Sequence, residues 1–329
     1  MKNRLSKNEI KKFLKGEDEN HLLETASNIR KEFFKKKVLI RAIIAFSNYC
    51  LRDCLYCGLR ISNKKLRRYR MRKDEIVGVA RGIIEKGIKT IVLQSGDDLY
   101  YSRDNLVNLI VSIKRFSPSL ALTLSIGERP LDDYKAFYDA GADRYLIKHE
   151  TANESLYNKL HPNQSFKERV EIIEFLRKIG YQVGLGNIIG LPGQSLKDLA
   201  ADIMFYQDFQ PDMIGLGPFI SAVDTPLSAQ PSPDMKLVLR SYALARVVTV
   251  DSHIPLTTAA MTKGENDFMR ESLKVSTNVI MVDFTPKEYS LSYKIYDNRS
   301  ISSIREIDYL IKKLGFTPSY VKGDSLKRF

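Results

Sequence analysis

Long apolar runs are missing from this chain: no stretch approaches the ~20 consecutive apolar residues that a bilayer-crossing helix needs. Residues 1–16 alternate Lys, Asn and Glu with single apolar positions, so no signal-peptide core is present either. Together these two absences predict a cytoplasmic protein with no membrane partner. Cysteine is scarcer still. The chain has three, Cys50, Cys54 and Cys57, all within eight residues. An odd number at such spacing excludes a disulfide framework and points to a ligand set held in a reducing compartment. No low-complexity linker divides the chain, and no Gly-x-Gly-x-x-Gly follows the first candidate strand, which counts against a dinucleotide-binding open sheet.

What is present is enough for one large α/β unit. The 329 residues are 43% hydrophobic, which supports a sizeable core and excludes a disordered chain. The net charge is +13, from 52 basic and 39 acidic residues. Such an excess is compatible with nucleic acid. The basic runs Lys35-Lys36-Lys37 and Lys64-Lys65-Leu66-Arg67-Arg68, however, do not interleave with aromatics as an RNA-reading surface does. They read as solvated surface, and no nucleic-acid partner is expected. The second run lies close behind the cysteines, where positive charge attracts anionic substrates.

From about residue 38 short β-branched runs alternate with longer helical patterns. Candidate strands are 38–46, 90–94, 121–125, 144–148, 182–187, 213–216, 254–258 and 278–281. Candidate helices include 73–85, 103–115, 166–178, 196–207 and 234–248, with Gly87, Gly141 and Gly180 at helix ends. Unbroken alternation implies a parallel sheet, and about eight βα units fit a (β/α)8 TIM-type barrel. The expected organisation is an N-terminal helical extension over 1–37, the barrel over 38–300, and a C-terminal helix with a basic tail over 301–329.

The cysteines sit in Ser47-Asn48-Tyr49-Cys50-Leu51-Arg52-Asp53-Cys54-Leu55-Tyr56-Cys57-Gly58, directly after the first strand. Their spacing is Cys-x3-Cys-x2-Cys. Three thiolates on one loop can ligate three irons of a cubane and leave the fourth iron open. A structural zinc site would need a fourth ligand close by, and the nearest histidines are His21 and His149. In a barrel this loop opens at the C-terminal end of the strands, where active sites are built.

This spacing, with aromatic Tyr56 before the third cysteine, resembles the signature of the radical S-adenosylmethionine (SAM) superfamily. The resemblance implies a [4Fe–4S] cluster on Cys50, Cys54 and Cys57, whose open iron chelates SAM. One-electron reduction then cleaves the sulfonium to a 5′-deoxyadenosyl radical. Gln94-Ser95-Gly96-Asp97-Asp98 resembles the motif that contacts the SAM amino group, although an ordinary βα turn reads the same way. Glu150 ends the fourth strand, and Arg169 on the next helix could meet the SAM carboxylate or could simply be solvated. Gly186-Asn187-Ile188-Ile189-Gly190-Leu191-Pro192-Gly193-Gln194 resembles the Gly-x-Ile-x-Gly-x-x-Glu motif that packs on adenine, with Gln194 departing from its acidic end.

Across about residues 38–290 the likeness is closer. Blocks such as Arg41-Ala42-Ile43-Ile44-Ala45-Phe46-Ser47-Asn48, His149-Glu150-Thr151-Ala152-Asn153, Gly215-Leu216-Gly217-Pro218-Phe219-Ile220 and Thr257-Thr258-Ala259 resemble the [FeFe]-hydrogenase maturase HydE family, whose relatives include methylornithine synthase and biotin synthase. This implies that Glu150 and Arg169 contact SAM, with Thr123, Ile188 and the Gln94–Asp97 turn lining the same pocket. It places Lys148, Thr257 and Thr258 where the family holds a carboxylate-bearing ligand; two hydroxyls and a cation suit a buried carboxylate. Thr257-Thr258 also reads as a plain β-branched strand. Tyr289 or Tyr293 is expected to close the site. The implied task is to process an iron-bound precursor of the hydrogenase's diiron subcluster, with a reducing electron donor and other hydrogenase maturases as partners. No cysteine follows Cys57, so a second cluster is not expected. Ser276-Thr277-Asn278 and the loop Thr262-Lys263-Gly264-Glu265-Asn266-Asp267 depart from the family pattern near the substrate end. An amino-acid carbon-skeleton mutase of the methylornithine synthase type, a HydE paralogue with another small carboxylate substrate, and a basic RNA-binding protein are the competing readings.

Overall fold

β1 (Lys37–Ser47) is buried at every position after Lys37, as a strand covered on both faces must be. The structure is a computed structural model that describes residues 4–264, 266–298 and 303–328. Seven more parallel strands complete the ring: β2 (Thr90–Ser95), β3 (Ala121–Ser125), β4 (Arg144–Leu146), β5 (Gln182–Leu185), β6 (Met213–Ile214), β7 (Pro255–Leu256) and β8 (Val279–Asp283). Their order around the sheet is β6-β5-β4-β3-β2-β1-β8-β7. β1 is central, with Ala42 opposite Ile91 of β2 and Ile40 opposite Ile280 of β8. Between β6 and β7 the ring is closed by a single bridge, in which the Ile214 N–H donates to His253 O at 2.9 Å. The result is a nearly closed eight-stranded parallel barrel.

Helices cover its outside. α3 (Lys73–Glu85), α4 (Arg103–Phe116), α7 (Phe166–Ile179), α8 (Leu196–Phe209) and α9 (Met235–Thr249) fall within a residue or two of the sequence expectation. Ser102, Ser165 and Ser195 accept backbone N–H groups as N-caps, and Gly180 closes α7 in the left-handed conformation. The N-terminal helices α1 (Lys7–Lys15) and α2 (Glu19–Phe34) pack on α8 and α9. Arg30 of α2 is buried and donates from Nη2 to Lys37 O at 3.1 Å and from Nε to Thr277 O at 3.2 Å, tying the extension to the barrel base.

Four strands, β4 to β7, stop two residues short of expectation at the barrel mouth, and β8 runs two residues past it. β4 and β5 stop at Leu146 and Leu185 because the chain beyond them turns into the site. There the Glu150 N–H donates to Gly186 O, and Ile188–Ile189 pairs with Gly217–Pro218 as a separate small ladder. The stretch expected as strand 254–258 is shorter still. Thr257 is the N-cap of α10 (Thr258–Lys263), its Oγ1 accepting the Ala260 N–H at 3.3 Å.

At the other end of the barrel, α13 (Ile304–Lys313) matches the expected terminal helix, but the tail after it is not free. Thr317–Ser319 adds parallel to the start of β1, and residues 322–324 run beneath the barrel. Arg144 donates from Nη2 to Lys322 O, Gly323 O and the Asp324 carboxylate, and Arg41 donates to Gly323 O. Buried guanidinium groups demand such acceptors, so these carbonyls hold the tail in place. The expected boundary at 300/301 and Glu265 lie outside the described residues.

Candidate active site

The cysteine loop leaves β1 at Ser47 and is fastened to the turn after β2. Ser47 Oγ donates to Asp98 Oδ2 at 2.6 Å, and the Leu51 N–H donates to Asp97 O at 3.0 Å. The two segments can meet because residue 96 is glycine. A Cβ there would sit 2.3 Å from Tyr49 O and 2.6 Å from Cys50 Cβ. Gly127, after β3, has φ +73°, and a Cβ on it would lie on the Asp97 carboxylate.

All three cysteines are free and line one cavity of about 330 Å³ at the mouth. Burial pushes the Cys50 thiol up to about 11 and the Cys54 thiol up to about 12, and it raises Cys57 as well, with the neighbouring thiols adding to the effect. Donors nevertheless point at the sulfurs. The Arg52 and Asp97 N–H groups each approach Cys50 Sγ at 3.4 Å, and Gln164 Nε2 approaches Cys54 Sγ at 3.5 Å. Desolvated thiols that receive N–H bonds suit thiolates bonded to iron, where such bonds tune the cluster. Among the described residues no three His, Cys, Asp or Glu side chains are grouped to grip a single ion. A cubane makes no such demand, since each thiolate takes a different iron. The donor set therefore fits a [4Fe–4S] cluster.

A chain of alternating charges runs along one wall. Arg52 donates from Nε to Asp97 Oδ2 at 2.6 Å and from Nη2 to Glu128 Oε2 at 2.8 Å, and Arg169 donates from Nε to Glu128 Oε1 at 2.7 Å. Burial alone would weaken the charge on Arg169, but Tyr157 and the carboxylates of Glu128, Asp97 and Glu150 outweigh it and raise its pKa. Arg169 is thus a permanent buried cation facing the cavity, which an anionic group of a ligand can meet.

Opposite lies Glu150, held in a left-handed backbone with φ +60°. The Thr151 N–H closes the turn onto His149 O at 2.7 Å, and the Ile188 N–H donates to Glu150 O at 2.9 Å. Behind this turn is a fully buried carboxylate, Asp202. It accepts the Ala152 N–H on Oδ1, and Asn187 Nδ2 and Gln194 Nε2 at 3.0 and 3.1 Å on Oδ2. Desolvation outweighs these donors and pushes Asp202 up to about 8. Gln194 completes the loop: its Oε1 accepts the Gly190 and Leu191 N–H groups, and its Nε2 also reaches Ile188 O. An amide, unlike a carboxylate, can donate to Asp202 while accepting from the backbone, which accounts for Gln194 at this position.

Deeper in the cavity, Lys148 Nζ lies 3.1 Å from Glu150 Oε2, and Thr258 Oγ1 shares a 2.5 Å hydrogen bond with Tyr296 OH. Thr257 Oγ1, besides capping α10, lies 3.4 Å from Tyr242 OH.

Most of the residues singled out from sequence converge here. Cys50, Cys54, Tyr56, Cys57, Gln94, Ser95, Gly96, Asp97, Lys148, Glu150, Arg169, Ile188, Thr257 and Thr258 all line the one cavity. Two do not. Thr123 points into the barrel below the cavity, fully buried with Oγ1 unbonded, and Ser125 two residues on lines the wall instead. Tyr289 lies outside the cavity, its hydroxyl donating to Glu75 Oε1 at 2.9 Å and its ring packed on Tyr69. Tyr293 and Tyr296 stand at the wall in its place. Arg52, His161 and Gln164 line the cavity without having stood out in the sequence. His161 Nε2 is 2.8 Å from Tyr56 OH and its Nδ1 is 2.7 Å from Tyr157 O, so it fixes the aromatic of the cysteine motif. The only sequence cue for it is its place at the end of α6 (Glu154–Leu160), a short helix that periodicity does not reveal.

Comparison with known proteins agrees with this geometry. The family model of the radical SAM superfamily matches residues 44–205. The [FeFe] hydrogenase maturase subunit HydE of Thermotoga maritima is 45% identical over 280 residues, which is 84% of this chain and 79% of that protein. The 3-methylornithine synthase of Methanosarcina acetivorans is 26% identical over 94% of this chain and 88% of its own length. Among solved structures, that of methylornithine synthase superposes with a TM-score of 0.85 at 23% identity, covering 96% of this chain and 94% of its own.

Proposed function

The chain belongs to the [FeFe]-hydrogenase maturase HydE family of the radical SAM superfamily, and from that membership we propose that it acts in assembling the diiron subcluster of an [FeFe]-hydrogenase. It is a radical SAM enzyme, and its cofactors are a [4Fe–4S] cluster and SAM. Bound together, these supply reductive cleavage of the SAM sulfonium to a 5′-deoxyadenosyl radical.

The chain's own residues do the rest. Cys50, Cys54 and Cys57 hold the cluster. Arg169 meets the SAM carboxylate, and to do so must share its guanidinium with Glu128, 2.7 Å away. Glu150 accepts from the ribose, its carboxylate aimed by the strained turn at its own backbone. Tyr56 and Ile188 flank the adenine, and the Gln94–Asp97 turn receives the amino group. Lys148, Thr257 and Thr258, with Tyr296 bonded to the last of these, take the carboxylate of a small organic or iron-complex substrate. The buried walls exclude water that would quench a radical. The cytoplasm, a reducing electron donor and the other hydrogenase maturases complete the setting. The observation that carries this reading is the convergence of three thiols, two of them N–H-bonded, with Arg169 and Glu150 on one cavity.

The test is anaerobic reconstitution with iron and sulfide, followed by electron paramagnetic resonance with and without SAM. A reduced-cluster signal that SAM perturbs, absent in Cys54→Ala, is expected. A signal indifferent to SAM would defeat the reading. Formation of 5′-deoxyadenosine with an iron–cysteine complex identifies a maturase, whereas appearance of a lysine isomer on incubation with lysine would identify a mutase instead.

A further inference from the structure

The turn between α6 and α7 is fastened to the second half of the cysteine motif at three points. The Leu55 N–H donates to Leu160 O at 2.9 Å, Tyr56 OH meets His161 Nε2 at 2.8 Å, and Gln164 Nε2 donates to Cys54 Sγ at 3.5 Å. The backbone fixes Gln164 in this place. Its N–H donates to His161 O at 3.1 Å, Asn163 before it turns left-handed with φ +60°, and Ser165 after it caps α7.

Gln164 has a second contact. Its Oε1 accepts from Arg169 Nη2 at 3.2 Å. That pairing sets the direction of the amide: a guanidinium only donates, so the oxygen must face Arg169 and the nitrogen the sulfur. Arg169 gives Nε to Glu128 at 2.7 Å and Nη1 to Lys148 O at 2.9 Å. Three of the five N–H groups of an arginine are thereby engaged, and two remain for the carboxylate of a ligand.

Cys50 is served differently. Its donors are the Arg52 and Asp97 N–H groups, backbone that a ligand cannot alter without moving the loop. Gln164 is a side chain set between a charge and a sulfur, so a change at one end reaches the other. A cation on the carbonyl oxygen polarises the amide and strengthens its N–H as a donor. A donor at a thiolate draws off electron density and favours the reduced cluster.

We propose that Gln164 is a positioning residue that carries the occupancy of Arg169 to the cluster through Cys54. The inference rests on the radical SAM reading and on Arg169 as the group that meets the SAM carboxylate. With Arg169 free, the polarised amide makes the cluster easier to reduce. A carboxylate on Arg169 neutralises that pull, and the share contributed by Gln164 falls. The residue supplies no electron and breaks no bond; it shifts an equilibrium. By linkage, reducing the cluster changes the affinity at Arg169 by the same factor.

The experiment is a redox titration of the reconstituted full chain, followed by electron paramagnetic resonance, with and without S-adenosylhomocysteine. This probe keeps the carboxylate and has no sulfonium to cleave. Gln164→Met keeps the length of the side chain and loses both polar ends. Without the probe, its ratio of reduced to oxidised cluster at a fixed potential should be ~3–10-fold below that of the unmodified chain, roughly 30–60 mV for one electron. With saturating probe the gap should narrow to below ~2-fold. Gln164→Glu keeps an acceptor for Arg169 and loses the donor to the sulfur. It should lower the ratio at least as far, and weaken binding of the probe at least ~10-fold, because its carboxylate competes for Arg169. Iron content and far-ultraviolet circular dichroism should match the unmodified chain in both variants. An unchanged ratio in Gln164→Met would overturn the proposal. So would an equal loss with and without the probe, which would leave Gln164 a donor to the sulfur and nothing more, or loss of iron, which would make it a prop for the loop. Failure of the underlying reading shows separately, as affinity for the probe unmoved by Arg169→Ala, and leaves the probe-free titration of Gln164→Met readable.

Discussion

Arg52 donates from Nε to Asp97 Oδ2 at 2.6 Å, so the residue two places after the first cysteine is locked to the turn after β2. The same guanidinium reaches Glu128 at 2.8 Å, and through it Arg169. Arg52→Ala leaves Asp97 and Glu128 partly buried without their shared cation. We expect a stability loss of about 1–3 kcal/mol, a raised KM for SAM, and lower iron content after reconstitution. Calorimetry and iron analysis on the same preparations check this. Unchanged iron loading would show that the loop holds its shape without the ion pair.

Gly96→Ala should leave the barrel folded and cluster binding impaired. The added methyl meets Tyr49 O and the Cys50 side chain, neither of which can retreat without moving the cysteine loop. Far-ultraviolet circular dichroism should match the unmodified chain, while the cluster's absorbance after reconstitution should drop by at least half. Full cluster absorbance would show the loop has slack that the packing conceals.

Gln194→Glu removes the amide donor 3.1 Å from Asp202 and sets a half-buried carboxylate against a fully buried one. Asp202 keeps its proton up to about pH 8 in the folded chain, whereas an unfolded aspartate loses it near 4. The folded state is therefore penalised as pH rises through that window. One proton can bridge the new pair at pH 6 but is lost by pH 9. The variant should be less stable by about 1–3 kcal/mol, with the gap wider at pH 9 than at pH 6. Equal shifts in melting temperature at both values would contradict this account.

His149 is fully buried with both ring nitrogens unbonded, packed against Phe205 and Tyr206. Burial, with Lys148 and Arg169 nearby, lowers its pKa to about 3. The unfolded chain takes up a proton near pH 6.5 that the folded chain refuses, so stability falls as pH drops below 6.5, by about 1.4 kcal/mol per unit for this group. His149→Phe should flatten the fall in unfolding free energy between pH 6.5 and 4.5. An unaltered slope, measured by denaturant titration, would mean the imidazole is protonated in place.

Which parts of this were legible in the sequence follows from where each signal is local. The cysteine spacing, the buried run of β1 and the serine-capped helices are written in neighbouring residues, and the structure places them within a residue or two. Thr257 was legible as a β-branched residue but not as a helix cap, because its partner, the Ala260 N–H, becomes a donor only once α10 forms. Tyr289 and Tyr296 look alike in sequence. Only the contact of Tyr289 with Glu75 on α3, over two hundred residues away, puts it outside the cavity. Asp202, Glu128 and His161 share this character: each has a partner dozens of residues away, and none sits in a motif. Tertiary networks leave little trace in a single chain.

The segment under the barrel has a consequence for how the molecule is built. Thr317–Ser319 pairs with the first residues of β1, and β8 lies along the same strand's other half, so β1 cannot complete its hydrogen bonding until nearly three hundred later residues exist. Contacts of such span are slow to form. During synthesis Arg41 and Arg144 line an open-bottomed sheet until the strap that satisfies them has emerged. The site at the mouth therefore stands on a barrel whose floor comes from a remote part of the sequence: residues 322–324 close the bottom by accepting from Arg41 and Arg144.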